Sequence, residues 1–314
     1  MCIHRLRFNA RLAARFAAAA VLPLLLAAWT PPASAQPVWR LDRAGQQVFL
    51  IGTKLTGEAG ERLTPPVQKA LAASERLYLQ VEDGGDWRLP PAWRGATDAV
   101  FQETVIHDCE RWNPLDQAAQ GSPGISAAYA VCLQAFASDL GQEVRYGTEA
   151  LLVEAFRQLG KAGPLRSLQS PAEVVLASFT VPVEASLRAA MGDKPSAGSV
   201  ARDLAREAAA FAAPTDAPMT HIALEDYDAR RADPVMLERL VERPNTVYVA
   251  RIVEAAGDVP IAVAMDYTRL FGPHGLLKKL SEAGFTVTRL PAETPTSMPM
   301  PMPMPMPQSK SKSK

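Results

Sequence analysis

The sequence is poor in the residues that most often carry chemistry. It holds three cysteines and four histidines in 314 residues, and neither a Gly-x-Ser-x-Gly elbow nor a phosphate-cradling loop is present. Lysine plus arginine equals aspartate plus glutamate at 33 each, and the aromatics, 7% of the chain, are not interleaved with any basic patch. That balance argues against a nucleic-acid partner, which needs an excess of cations to meet phosphates. Beyond Trp29 no apolar run is long enough to span a membrane.

What is present begins with a leader. Arg5, Arg7, Arg11 and Arg15 precede an apolar stretch from Ala17 to Trp29, and Ala33-Ser34-Ala35 fits a small-residue cleavage site. The stretch is short for a spanning helix, so residues 1–35 read as a signal peptide cleaved after Ala35. The protein is therefore expected in the periplasm or secreted, with no membrane span after cleavage, and no cysteine follows the site to accept a lipid. Cys2 leaves with the leader. Cys109 and Cys132 remain as one pair in an oxidising compartment, where a bridge across about 22 residues would stabilise by roughly 3 kcal/mol. Two unpaired thiols are the alternative.

Residues 293–314 belong to no core. Methionine and proline alternate from Met298 to Pro307 and Ser-Lys repeats follow, a composition that keeps a chain extended and solvated. Its five thioethers could hold a soft metal such as Cu(I), although low-complexity drift is the simpler account of them. Between leader and tail, residues 36–292 contain no linker-like stretch and read as one domain.

That domain is built around two similar units. Val48-Phe49-Leu50-Ile51 is a buried-strand run ended by Gly52-Thr53, Pro65-Pro66 opens a helix, and Leu77 to Val81 is a second strand. The weaker echo comprises a strand Ile261 to Met265, a loop Asp266 to Pro273, a helix from about His274 to Glu282 and a strand Phe285 to Leu290. The middle reads as mostly helical: 125–140, 148–158, 171–191, 199–211, 234–240 and 245–256, with a short strand at 164–168 and loops at 193–195 and 214–218. The fold class is accordingly α+β, with duplicated strand-loop-helix-strand units forming a central sheet. Paired units would bring the loops at Gly52–Leu55 and Met265–Thr268 together, and ligand sites are commonly built at such strand ends.

Several segments taken in order resemble the TraB/GumN family. They are Val38-Trp39-Arg40, Ile51-Gly52-Thr53, Gly147-Thr148-Glu149, Gly160-Lys161, and Gly272-Pro273-His274-Gly275-Leu276-Leu277 with Gly284-Phe285-Thr286-Val287. The resemblance spans nearly all of residues 37–290. It implies an α+β fold with a duplicated core, related to the Tiki metal-dependent proteases. It also implies a divalent-metal site on two Gly-x-x-His loops, supported by acidic residues, an arginine and an asparagine.

This chain departs from that pattern where the metal would be held. The first loop reads Gly52-Thr53-Lys54-Leu55, with leucine at the expected histidine, and Tyr267 falls about where the second histidine belongs. Gln80 and Gln169 stand at the expected acids, and Arg243 precedes Asn245 by one place too many; Gly52, Thr53, Glu149, Glu173 and Asn245 remain. Leucine offers a metal no lone pair, and an amide is a poor neutral substitute for a carboxylate. The expectation is an exported TraB/GumN-like protein that has lost its metal site, uses no cofactor, and binds or assembles with a protein or peptide. The alternative is a divergent metal-dependent hydrolase of the Tiki type, drawing on Glu82, Glu149 or Glu173 with Tyr267 and His274.

Overall fold

Side chains alternate across a strand, so a strand covered on both faces reads as an unbroken apolar run. β2 (Gln46–Thr53) is such a strand: Val48 and Leu50 enter one buried cluster while Phe49 and Ile51 enter another. In the computed structural model, which describes residues 36–81, 137–161, 165–170, 172–174, 197–213, 215–231 and 234–291, this strand lies inside a six-stranded sheet. The leader, the Cys109–Cys132 pair, Glu82 and the Met-Pro tail lie outside the described residues.

The remaining strands of that sheet are β1 (Val38–Arg43), β4 (Arg76–Val81), β6 (Arg166–Gln169), β7 (Ile261–Asp266) and β8 (Thr286–Arg289). Their order is β6-β4-β7-β2-β1-β8. β7 runs parallel to both β2 and β4, β4 parallel to β6, and β1 antiparallel to both β2 and β8. β3 (Gly57–Glu58) and β5 (Gln142–Glu143) form a separate two-stranded ribbon. The α+β reading holds, and the two units interlock rather than lie side by side. β7 of the second unit lies between β2 and β4 of the first, and β1 lies between β2 and β8.

Helices cover both faces. α1 (Pro65–Ala73) and α2 (Thr148–Gln158) pack Val67, Ala70, Leu71, Leu152, Val153 and Phe156 on the Phe49-Ile51 side. The Val48-Leu50 side is covered by α3 (Ala197–Ala212), α4 (Ala217–Arg231), α6 (Arg243–Ala255) and α7 (Leu276–Glu282). Their contacts include Phe211, Met219, Tyr248, Ile252, Leu276 and Leu280. A short α5 (Pro234–Leu237) widens into a π turn over Glu238–Glu242 just before Pro244, whose ring and missing N–H disturb the regular helical ladder. Among the described residues no helix is long and apolar enough to cross a membrane.

The reading of 214–218 as a loop is corrected: α4 begins at Ala217, with Pro218 at the second helical position, where its missing N–H is not needed. The last helix starts two residues later than the expected His274, because Gly275 is extended and fits tightly against the preceding turn, its Cα facing the Phe271 carbonyl.

The sheet fixes the geometry that matters. Gly52 is registered with Met265 and Thr53 with Asp266 across the β2–β7 pair, so both loops leave the sheet side by side. β4 and β6 end on the same edge, with Val81 beside Gln169.

Candidate functional site

Lys54 is the first residue past β2, and it turns inward. Its Nζ lies 2.9 Å from Glu61 Oε2, and the two side chains are only 8% and 10% exposed. The same Glu61 oxygen accepts the Glu58 N–H at 3.2 Å. Glu61 Oε1 is buried and has no hydrogen-bond partner among the described residues. The Lys54 backbone is held as well: its carbonyl accepts the Thr148 N–H at 3.1 Å. Leu55, in contrast, is turned out and 62% exposed.

Asp266 closes β7 beside this pair. Its N–H donates to Gln80 Oε1 at 3.0 Å, and its Oδ1 accepts the Thr268 N–H at 2.8 Å and the Thr268 hydroxyl at 2.7 Å. Those bonds start the 3-10 turn Tyr267–Arg269. The amide of Gln80 also meets the buried Tyr248 hydroxyl, whose pKa burial pushes up against the opposing pull of Arg269. The Arg269 guanidinium lies 5.6 Å from the Tyr248 ring centre. A glutamine thus joins β4, β7 and α6 where the family resemblance expects an acid.

The third contributor comes from α3. Phe211 meets Tyr267 edge to face, with ring centres 5.1 Å apart, which sets this helix against the end of β7. Glu207 is one turn earlier on the same helical face. Burial, then the charge of Asp266, raise its pKa to about 7, with Glu61 and Asp203 adding to the rise and Lys54 opposing it. A half-buried carboxyl held up to about 7 by burial and by the charge of Asp266 is the electrostatic signature of this edge.

A stability prediction follows from the sign of that shift. Glu207 has a folded-state pKa above its ordinary value of 4.5. Its contribution is therefore fully present below about pH 4.5 and is lost as pH rises through about 7. Glu207→Gln is expected to unfold at higher urea than the natural chain at about pH 8, by roughly 2–3 kcal/mol. At about pH 4.5 the two should be nearly equal. Equal unfolding curves at both pH values would show that the carboxyl is not held in this environment.

The residues expected from sequence are distributed as follows. Gly52 donates its N–H to the Pro37 carbonyl at 2.9 Å, and a Cβ there would meet the Pro37 ring at 2.8 Å, so the packing of that ring favours glycine. Thr53 and Gln169 are buried at the ends of β2 and β6. Glu149 lies in the first turn of α2. Glu173 accepts the Ser170 N–H at 2.8 Å and a forked pair of bonds from Arg251. That guanidinium holds its pKa down to about 2. Arg251 also donates to the Leu168 carbonyl, so the Glu173–Arg251 pair fastens the exit of β6 to α6.

Asn245 is fully buried, and its Nδ2 donates to the His274 carbonyl at 2.8 Å and the Arg269 carbonyl at 3.4 Å, clasping the loop after β7. Tyr267 is packed on Phe211. His274 Nδ1 lies 3.0 Å from Glu242 Oε1 and its ring stacks on Tyr227. Gln80 and Asp266 are therefore bonded at one strand end with the Lys54–Glu61 pair leaving the neighbouring strand, while Glu173 is taken up by Arg251 and His274 by Glu242. Among the described residues no three His, Cys, Asp or Glu side chains are grouped so as to hold a metal ion.

Sequence reasoning passes over Lys54, Glu61 and Glu207. One signal was available: Glu207 stands four residues before the fully buried Phe211, a charge on the apolar face of a helix. Compared with protein-family models, with curated proteins and with solved structures, the chain gives no match.

Proposed function

We propose that this is an exported TraB/GumN-like protein whose strand-end site works without a metal ion, as a binding site for a protein or peptide. The observation that carries this reading is the buried Lys54–Glu61 pair. An ammonium at the end of β2 supplies the positive charge that a metal would bring to this edge, and it repels a dication approaching the same carboxylates. Leu55, at the position of the first motif histidine, faces solvent instead. Gln80 satisfies the Asp266 N–H and the Tyr248 hydroxyl as a neutral amide. An acid there would add a further negative charge beside Asp266.

The test is elemental analysis of the mature chain purified from the periplasm, beside a variant carrying Leu55→His, Gln80→Glu, Gln169→Glu and Tyr267→His. The natural chain is expected to contain no stoichiometric divalent metal. One metal ion per natural chain overturns the reading and favours the hydrolase alternative.

A further inference from the structure

Gln36, the first of the described residues, is already fastened to the fold. It is 4% exposed, its Oε1 accepts the Thr64 N–H at 2.9 Å, and its Nε2 lies 3.5 Å from the Arg62 carbonyl. The next two residues are fixed as well: the Pro37 carbonyl accepts the Gly52 N–H, and Val38 is registered with Ile51. Thr64 is the N-cap of α1, whose first two residues, Pro65 and Pro66, carry no N–H. Thr64 therefore holds the first donor of this helix end, and the Gln36 amide oxygen satisfies it.

We propose that Gln36 is a modification site: once cleavage after Ala35 makes it the first residue, its α-amino group closes onto its own side chain to give pyroglutamate. The inference rests on the exported reading above, in which residues 1–35 are removed. The neutral α-amine nitrogen attacks Cδ, the N–Cδ bond forms as the Cδ–Nε2 bond breaks, and a proton from the amine leaves with Nε2 as ammonia. No oxidant, reductant or second substrate enters. The step is intramolecular, so it takes place on the newly cleaved chain before Gln36 is seated.

Burial decides between the two forms of this residue. An open glutamine carries an ammonium, and at 4% exposure that charge loses its water beside the N-terminus of α1, where the helix dipole is positive. The loop from β3 to α1 carries Glu61 and Arg62 as its charged side chains, and Glu61 Oε2 is engaged by Lys54 at the end of β2. The lactam has no charge to desolvate. It keeps the carbonyl oxygen that accepts the Thr64 N–H and gives up only the Nε2 contact, the longer of the two.

The experiment is mass spectrometry of the full mature chain purified from the producing cells, intact and as its N-terminal peptide. The expected chain starts at Gln36, is lighter than the open form by one ammonia, and has no free α-amine. A chain that starts at Gln36 with a free amine, or one cut at another bond, overturns the proposal and leaves the exported reading standing. A chain that retains residues 1–35 removes both. Gln36→Asn, whose shorter side chain cannot close the same ring, is expected to keep its amine. A buried amine holds its proton less tightly than an exposed one, so its cost is present below its ordinary titration near about 8 and disappears above it. In urea, the unfolding equilibrium constant of Gln36→Asn should exceed that of the natural chain about tenfold or more at about pH 6, with the gap narrowing at about pH 9.5. The same gap at both pH values would come from the shorter side chain alone and overturns the charge argument on which the proposal stands.

Discussion

Lys54→Met is expected to destabilise the fold by about 3–5 kcal/mol near neutral pH, because it leaves a buried carboxylate without its counter-ion. The pair is 8% and 10% exposed, so solvent screens little of the loss. Glu61 would keep only the Glu58 N–H as a partner at its outer oxygen. Glu207 would lose the cation that opposes its upward shift, so its titration would move further up. The urea midpoint should fall most at neutral pH and recover in acid, where the stranded carboxylates become neutral. Lys54→Met combined with Glu61→Leu should regain most of the stability, since removing both charges of a buried pair costs far less than removing one. A single variant as stable as the natural chain at neutral pH would mean that Lys54 and Glu61 are not a buried pair.

The fold was legible where local chemistry and tertiary packing agree. β2 and β7 announce themselves because helices cover both faces of the sheet, so Val48 to Ile51 and Ile261 to Met265 are unbroken apolar runs. α2 was read to the residue, since Gly147 and Gly160 bracket an amphipathic run. α4 was not, because Pro214 and Pro218 flank its start and its apolar positions are sparse. The strand order was not legible either. Threading β7 between β2 and β4 is decided by contacts across most of the chain's length, and nothing within either unit records it.

The site was legible in position and not in content. Strand ends on one edge predicted where to look, and the register of Thr53 with Asp266 meets that expectation. The motif comparison directed attention to Leu55, but the side chain turned inward is its neighbour Lys54. Glu61 follows a tight ribbon and looks solvent-facing in sequence; its burial comes from Lys54, β3 and the turn around Tyr146. Glu207 joins from a helix far along the chain, through an aromatic contact that no local pattern encodes.

Gly147→Ala is expected to cost about 3 kcal/mol or more, and the reason is contact rather than backbone conformation. Gly147 has φ −62° and ψ 155°, which alanine adopts freely. A Cβ there would lie 2.1 Å from the Leu55 carbonyl oxygen and 3.1 Å from the Lys54 carbonyl oxygen. Both are backbone atoms, so no rotamer change relieves the overlap, and the segment after β2 has to move. That movement breaks the bond from the Thr148 N–H to the Lys54 carbonyl and draws Lys54 away from Glu61. Gly45→Ala supplies the contrast: Gly45 has φ +83° with nothing within 4 Å of an added Cβ, so its cost is conformational, about 1 kcal/mol. If urea unfolding ranks Gly147→Ala no worse than Gly45→Ala, the close seam between the Gly147 turn and the Lys54 loop does not exist. If Gly147→Ala is much the worse and also raises the pH at which Glu207 titrates, then the turn, Lys54 and Glu207 respond as one unit. The rise would follow because the displaced loop carries Lys54, the charge that opposes the upward shift of Glu207.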